Sequence, residues 1–295
     1  CALKHAQGKT DYVLIFDADD RFEGNFVLPE ELTSDRYYFR MANSVTGANV
    51  YFRTLMFRND GSFYWRGVLH EFVEQRKKTV VEQKIFGDYY VISGRFGARS
   101  NNPQKYLQDA LTLEKAFYSP EDEDLKDRYA FYTAQSYRDA DMYEKAIEWY
   151  AIRVNLGGWY EEVYHSLLQI SLLKIELNAP LDEIQRLLLA TYEYRPQRAE
   201  SLYHLARQLR YHNKAKQAYI YATVAANIPL NKDILFVDHS VYEWKAKEEL
   251  AMSANSVGNY QLCHDLCVEL LFNPAVPESN RKLLLDNLMF AKEHL

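Results

Sequence analysis

The sequence lacks any apolar run long enough to cross a membrane, and it lacks an excess of positive charge. None of its 295 residues lies in a stretch approaching the ~20 apolar residues that span a bilayer, so no membrane span is expected. The net charge is −6. Because a nucleic-acid partner requires a basic surface, nucleic acid is not expected as a partner. The start, CALKHAQGKT, has neither an initiator Met nor an apolar signal region, and we expect that residues upstream of it are missing.

The chain also has few cysteines. Cys1 is terminal, while Cys263 and Cys267 are four residues apart in a helical pattern that includes His264. No second cluster offers the remaining ligands of a zinc site, so ordinary packed thiols are expected. The lack of a disulfide framework indicates a reducing compartment, and cytoplasmic localisation is the expectation.

The first hundred residues have the patterns of strands and turns. The run Tyr12 to Phe16 is short, apolar and followed by acidic residues, as a buried strand would be. Further strands are predicted over Arg36 to Met41, Val50 to Arg58 and Tyr89 to Ser93. The glycine-punctuated segment Gly94 to Pro103 indicates a loop at a domain boundary.

From about Gln104 onward the apolar period becomes helical. Ala134, Ile170 and Ala206 recur at a spacing of about 36, close to the ~34-residue period of two-helix repeats. Tyr143 begins the second helix of one unit, and a capping helix is predicted from Ser279 to Leu295. The prolines Pro196, Pro229 and Pro274 fall where helices should end. These units resemble tetratricopeptide repeats, whose stacked hairpins leave a groove.

Aromatic residues are frequent, with 24 Tyr and 15 Phe. In a helical array such rings fill gaps between hairpins, and core packing is their commoner use. Trp149 and Trp159 could instead line a groove for a sugar or a peptide.

The acidic cluster Asp17-Ala18-Asp19-Asp20 follows the first strand directly. A strand that ends in carboxylates places them at the edge where α/β sheets bind ligands. If the chain stays extended, Asp17 and Asp19 point the same way and could both approach one hard cation such as Mg²⁺ or Mn²⁺. The alternative is an acidic turn whose side chains cap local amides.

A second candidate motif is Trp65-Arg-Gly-Val-Leu-His-Glu. Together with Asp11-Tyr-Val-Leu-Ile-Phe-Asp-Ala-Asp-Asp, it resembles the family-two inverting glycosyltransferases of GT-A fold, in the subgroup that continues into tetratricopeptide-like repeats. The resemblance implies an α/β domain with part of a Rossmann-like GT-A sheet over 1–103. It implies an all-α tetratricopeptide-like solenoid over 104–295.

The resemblance also implies roles for particular residues. Asp17 and Asp19 match the D-x-D that holds the divalent cation, with Asp20 as a possible helper. His70 matches a histidine that completes the metal or diphosphate site. Glu71 could deprotonate the acceptor or orient His70. The phosphate contacts would come from the loop arginines, Arg95 and Arg99.

The implied reaction moves a sugar from a nucleotide sugar, expected to be UDP-linked, to a protein, peptide or glycan acceptor with inversion. A divalent cation, Mn²⁺ or Mg²⁺, is the implied cofactor. The repeats could hold the acceptor, bind a protein partner or form a homodimer. Only sixteen residues precede Asp17, so the N-terminal half of a GT-A domain is expected to be missing, with an exposed sheet edge at Tyr12 to Phe16.

Two other functions are compatible with parts of the pattern. The chain could be a non-catalytic repeat scaffold with a degenerate transferase remnant. It could also be a phosphatase of the haloacid-dehalogenase type, with Asp17 as nucleophile and Asp19 as acid. That family follows its second Asp with Gly and Thr or Val, whereas Asp20-Arg21-Phe22 stands here.

Overall fold

The computed structural model describes residues 2–42, 50–94 and 102–295, apart from the side chains of Val50 and Tyr51. The chain divides into two compact units, an N-terminal unit, Cys1–Ala140, and a C-terminal unit, Asp141–Leu295. The change from strands to helices falls between Ile92 and Lys105, close to the position predicted from the sequence. The domain boundary at 103 stays a prediction.

The N-terminal unit begins with a short helix and continues as strands and a helix pair. Its helices are α1 (Ala2–Ala6), α2 (Lys105–Phe117) and α3 (Lys126–Asp139), with a 3₁₀ segment, Pro120–Leu125, between the last two. Its strands are β1 (Tyr12–Leu14), β2 (Arg21–Gly24), β3 (Arg36–Ala42), β4 (Val50–Arg58), β5 (Phe63–Arg66), β6 (Phe72–Gln75), β7 (Glu82–Lys84) and β8 (Tyr89–Ile92). The strands predicted from apolar patterns are all present.

The main sheet has the strand order β1-β4-β3-β8-β2, and β7 also pairs with β3. Pairing is antiparallel for β1–β4, β3–β4 and β2–β8, and parallel for β3–β8 and β3–β7. The described residues between β1 and β8 contain no helix. The sheet therefore differs from the Rossmann-like arrangement expected, in which helices alternate with parallel strands. Membership of a GT-A domain stays a prediction.

Strand β1 lies at one end of this sheet, as expected for Tyr12 to Phe16, and Leu14 is exposed. The core on the other strands is aromatic. Phe22 stacks on Phe26 with ring centroids 4.5 Å apart, and Phe26 meets Tyr89 edge-on at 4.9 Å. Phe39, fully buried, closes the cluster. These rings fix β2, β3 and β8 against one another.

A separate hairpin, β5–β6, packs on the helix pair α2–α3. Leu69 and Phe72 of the hairpin contact the buried side chains Leu113 and Tyr129. Arg66 connects the hairpin to the 3₁₀ segment through ion pairs with Asp122 and Asp124, and it pairs with Glu74 within the hairpin. The hydrogen bonds that Arg66 donates to these three carboxylates raise its pKa well above its ordinary value, chiefly through Asp124.

The C-terminal unit consists of helices joined by short loops, except for the long loop, residues 228–240, that precedes the π-helical turn. They are α4 (Tyr143–Leu156), α5 (Tyr160–Glu176), α6 (Leu181–Tyr194), α7 (Glu200–Tyr211), α8 (Ala215–Asn227), a π-helical turn (Val241–Lys245) continued by α9 (Ala246–Ser256), α10 (Tyr260–Leu271) and α11 (Glu278–Glu293). Each helix contacts the next, and α7 and α11 also contact α9. This nearest-neighbour packing is that of a helical solenoid of the tetratricopeptide-like kind, as the sequence predicted.

Small residues set the close approach between these helices. Ala206, Ala222, Ala251 and Ala254 are buried in one shared core cluster. The helices end where the prolines predicted, since α6 stops at Tyr194, α8 at Asn227 and α10 at Leu271. The predicted equivalence of Ala134, Ile170 and Ala206 holds only in part, because Ile170 is half-buried while both alanines are fully buried.

The two described cysteines lie inside this unit, as expected. Cys263 and Cys267 are fully buried in α10, and Cys1 lies outside the described residues. Burial raises the pKa of the Cys267 thiol to about 12, so the thiolate needed for redox or metal chemistry is disfavoured. No helix of the described chain is long and apolar enough to cross a membrane.

His204, in α7, is predicted to make the C-terminal unit sensitive to acid. Burial, aided by the nearby Arg207, lowers the pKa of His204 from 6.5 to about 4. Between these two pH values the unfolded chain binds a proton at His204 and the folded chain does not. The contribution of His204 to the free energy of unfolding is therefore fully present above pH 6.5 and is lost as the pH falls toward 4. Urea unfolding at pH 7 and at pH 4.5 gives the free energy of unfolding lost on acidification. We expect His204→Gln to reduce this loss by on the order of 1–3 kcal/mol. His212→Gln, at an exposed position, is the control; equal losses in all three proteins would contradict the prediction.

Candidate functional site

The acidic motif forms a tight turn at the end of the first strand. The backbone amide of Ile15 donates to Leu55 O at 2.7 Å, which extends β1 toward the motif. The amide of Asp20 then donates to Asp17 O at 3.0 Å, so the chain reverses instead of staying extended. This geometry corrects the expectation that Asp17 and Asp19 point the same way along an extended chain. Asp17 is exposed and Asp19 is half-buried.

The end of β8 holds this turn in place. Ser93 Oγ donates to Asp20 Oδ1 at 2.8 Å. A Cβ added at Gly94 would lie 2.2 Å from Asp19 O and 2.7 Å from Asp19 Cβ, far inside van der Waals contact. Only glycine allows this approach, so the acidic turn and the start of the loop after β8 are packed together. Neither Ser93 nor Gly94 was singled out as a site residue from the sequence, where a serine and a glycine after a strand are commonplace.

Asp20 is the buried member of the motif. Its residue is only 9% exposed, and its Oδ2 has no hydrogen-bond partner among the described residues. A buried carboxylate oxygen in that position requires a hydrogen-bond donor or a cation. Carboxylate oxygens are also the ligands that Mg²⁺ and Mn²⁺ prefer. The turn therefore fits the implied cation in its chemistry: two accessible carboxyl groups beside one buried carboxyl with an unused oxygen.

His70 and Glu71 lie in a different place, the loop that joins β5 to β6. The ring of His70 stacks on Tyr132 of α3 with centroids 4.1 Å apart, and Arg128 Nη2 donates to His70 O at 2.7 Å. His70 has a φ of +52°, unusual for a residue other than glycine, and both His70 and Glu71 are exposed. The sequence motif is thus used partly to dock the hairpin loop on α3.

The predicted site residues are only partly brought together. Within residues 2–42, 50–94 and 102–295, no three His, Cys, Asp or Glu side chains are grouped to hold a metal ion. Asp17, Asp19 and His70 therefore do not form a three-ligand centre. A Mg²⁺ site on one or two carboxylates with substrate phosphates needs no third protein ligand. Arg95 and Arg99, the predicted phosphate contacts, lie outside the described residues.

A shallow cleft of about 350 Å³ lies elsewhere in the N-terminal unit, beside α1 and β5. Lys4, Arg58 and Arg76 line it together with Tyr64 and Trp65. None of the predicted site residues contributes to it. One of these cations, Arg58, is already paired with Asp35.

Comparison with known proteins adds little to this geometry. No family model matches the chain, and no curated protein matches it. Among solved structures, BtubC (BKLC) from P. vanneervenii is 10% identical with a TM-score of 0.49, covering 67% of this chain and 84% of that one. MamA of MSR-1 is 14% identical with a TM-score of 0.37, covering 65% and 87%. A kinesin light chain with TPR-like repeats from Podosopora anserina is 16% identical with a TM-score of 0.41, covering 60% and 89%.

At these identities and scores the likeness carries no argument about function. The repeat architecture of the C-terminal unit rests on its own helix packing. The chain is thus defined as a protein with a strand-rich N-terminal unit and a tetratricopeptide-like C-terminal unit.

Gly94 is predicted to be irreplaceable at the acidic turn. Gly94→Ala places a methyl group against the Asp19 backbone, and we expect it to lower the free energy of unfolding by about 2 kcal/mol or more. Gly8→Ala is the matched control, because Gly8 has a φ of +74° but nothing within 4 Å of an added Cβ. Its expected cost is about 1 kcal/mol. Chemical denaturation of both variants checks this, and equal losses would show that the contact is not tight.

Proposed function

We propose that the chain combines a partner-binding helical array with a site for a nucleotide sugar, as in a repeat-bearing glycosyltransferase. The array has the more direct support, because the stacked helices of the C-terminal unit form the kind of surface on which repeat proteins bind partners. The sugar-nucleotide site is supported by the motifs and by one contact, that of the acidic turn with Ser93 and Gly94.

Exposed aromatic side chains support partner binding by the C-terminal unit. Trp159, Tyr194 and Tyr211 are 41%, 44% and 55% exposed, whereas Trp149, the other tryptophan considered for a groove, is buried. Aromatic side chains with one polar end are enriched at protein interfaces. A protein or peptide partner is therefore proposed for this unit.

The array is predicted to select peptides. Random-peptide phage panned on the full chain should yield binders with dissociation constants on the order of micromolar. Alanine at Trp159, Tyr194 or Tyr211 should weaken at least one selected peptide about fivefold, because buried aromatic anchors dominate binding energy. Tyr118→Ala, an exposed tyrosine of the N-terminal unit, is the control. Selected peptides whose dissociation constants are unchanged by all three substitutions would contradict the proposal that this array binds a peptide partner.

In the N-terminal unit, Asp17 and Asp19 would hold a divalent cation, with Asp20 fixed by Ser93 to support the turn. The cation would supply neutralisation of the negative charge on the departing nucleoside diphosphate. Glu71 is proposed either to take the proton from the acceptor or to orient His70. Arg95 and Arg99 stay the proposed phosphate contacts. The acceptor class stays open between a protein, a peptide and a glycan.

Nucleotide binding is predicted to need both the metal and the acidic turn. Calorimetric titration of UDP into the chain with Mn²⁺ should give a dissociation constant on the order of micromolar, and omission of Mn²⁺ should abolish the binding heat. Asp19→Ala should weaken binding at least about tenfold, a loss of ~1.4 kcal/mol. The matched control is Asp88→Ala, which removes an exposed carboxylate of the same unit.

GDP and TDP are to be titrated in the same way. Binding of none of the three diphosphates, or binding that is indifferent to Mn²⁺ and to Asp19, would exclude the sugar-nucleotide site in this chain. The protein would then be a binding scaffold with a remnant of a transferase domain.

A further inference from the structure

The loop between α8 and the π-helical turn contains a segment, residues 231–238, that we call the strap. The strap lies on the first turn of α5 and on the loop between α6 and α7, where side chains form hydrogen bonds with its backbone. Glu161 Oε2 accepts from the amides of Ile234 and Leu235 at 2.8 and 2.7 Å. Arg198 donates to Phe236 O at 3.3 Å. These hydrogen bonds involve only backbone atoms of the strap, so the backbone of another peptide could form them in place of the strap.

One side chain of the strap is also recognised. The carboxylate of Asp233 accepts from Arg195 Nε at 2.9 Å and from Arg195 Nη2, and Arg198 Nη1 lies 3.4 Å away. The guanidinium of Arg195 is in turn 4.3 Å above the ring of Tyr160. Hydrogen bonding to Arg195 holds the pKa of Asp233 below its ordinary value. The two arginines therefore form a pocket for a carboxylate side chain. The residue that carries this carboxylate directly precedes the two residues whose amides donate to Glu161.

The strap has four apolar side chains, of which Leu235 and Val237 are half-buried and two are exposed. Ile234 is 80% exposed and Phe236 is 55% exposed. Phe236 also has a φ of +46°, a left-handed conformation that is unfavourable for a bulky side chain. The ring of Phe236 lies 4.7 Å from the ring of His165. Polar contacts, this ring contact and the partial burial of two side chains therefore hold the strap, and none of its four apolar side chains is fully buried.

The surface beneath the strap also has contacts of its own, besides those that Arg198 and Glu200 make with the strap. Glu200 pairs with the fully buried Arg198 through Nη2 at 2.7 Å and Nε at 3.0 Å. The hydroxyl of Tyr242 donates to Glu200 Oε2 at 2.8 Å, and the ring of Tyr164 lies 4.5 Å below the Arg198 guanidinium. Arg198 is thus positioned by α5, α7 and the π-helical turn, which leaves a preorganised receptor when the strap leaves.

We propose that this surface is the peptide-binding site of the C-terminal unit, and that the strap is its intramolecular competitor. The inference rests on the partner-binding array proposed above. The ligand is a partner segment with an aspartate followed by two residues other than proline. The aspartate takes the place of Asp233 between Arg195 and Arg198, and the next two amides bind Glu161.

The test uses a labelled peptide of residues 231–240 and the full chain with residues 233–237 replaced by Gly-Ser-Gly-Ser-Gly. Fluorescence anisotropy should show the peptide binding this variant at least about tenfold more tightly than it binds the unaltered chain, because the competitor is gone. Asn at the Asp233 position of the peptide should cost about tenfold. Pro at the Leu235 position should abolish binding, since it removes one gripped amide.

Matched substitutions in the receptor separate this site from the rest of the array. Glu161→Ala in the replaced-strap chain should remove peptide binding, whereas Glu176→Ala, at the far end of the same helix, should not. A folded replaced-strap chain that fails to bind, or binding that survives Glu161→Ala or the proline peptide, would overturn the inference. Concentration-dependent dimers of the replaced-strap chain without peptide would do so too, since a second copy would then be the occupant.

Hydrogen exchange on the unaltered chain provides a measurement that requires no variant. The amides of Ile234 and Leu235 should exchange by local opening, well before those in the middle of α5 and α7. Exchange of these amides only with global unfolding would mean that the strap never leaves, and would overturn the inference. Peptides selected by the array that compete at other surfaces would leave the proposed array intact while excluding this site.

Discussion

The contact between Gly94 and Asp19 is the constraint on which the N-terminal unit depends. Strand β8 pairs with both β2 and β3, and its end is pressed against the acidic turn that connects β1 to β2. A side chain at Gly94 would push the turn away and break the Ser93–Asp20 hydrogen bond with it. The position of the carboxylates therefore depends on the pairing of β8 within the sheet.

The C-terminal unit is held together differently. Each helix buries one face on its neighbours, and alanines at the crossings allow close approach. Ion pairs also join the helices: Arg153 of α4 pairs with Glu162 of α5, and Arg210 of α7 pairs with Glu249 of α9. Because a buried charge without its partner is costly, these two pairs favour a single register between the helices that they join. Charged side chains also hold the strap, through Asp233 and through its backbone amides. A peptide with the same groups could therefore bind the surface that this loop occupies.

Several features of the fold followed from local patterns. The helices after Lys105 and the prolines that end them follow from a 3.6-residue apolar period and from the missing amide of proline. Strands β1, β3, β4 and β8 follow from β-branched and aromatic runs. Strand order did not follow, because several pairing partners are far apart in sequence: β1 pairs with β4, and β8 pairs with β2 and β3. The pairing of β3 and β8 in parallel has no local signal at all.

The site shows the same division between sequence and structure. By itself the sequence determined which residues can carry chemistry, namely the carboxylates Asp17, Asp19 and Asp20 after a strand, and the His70-Glu71 pair. Only the tertiary structure decided that the acidic motif is a turn clamped by Ser93 and Gly94, and that His70 stacks on Tyr132. It alone placed Asp233 between Arg195 and Arg198. The physical reason is that residue type is local, whereas burial, close approach and charge pairing depend on segments that only folding brings together.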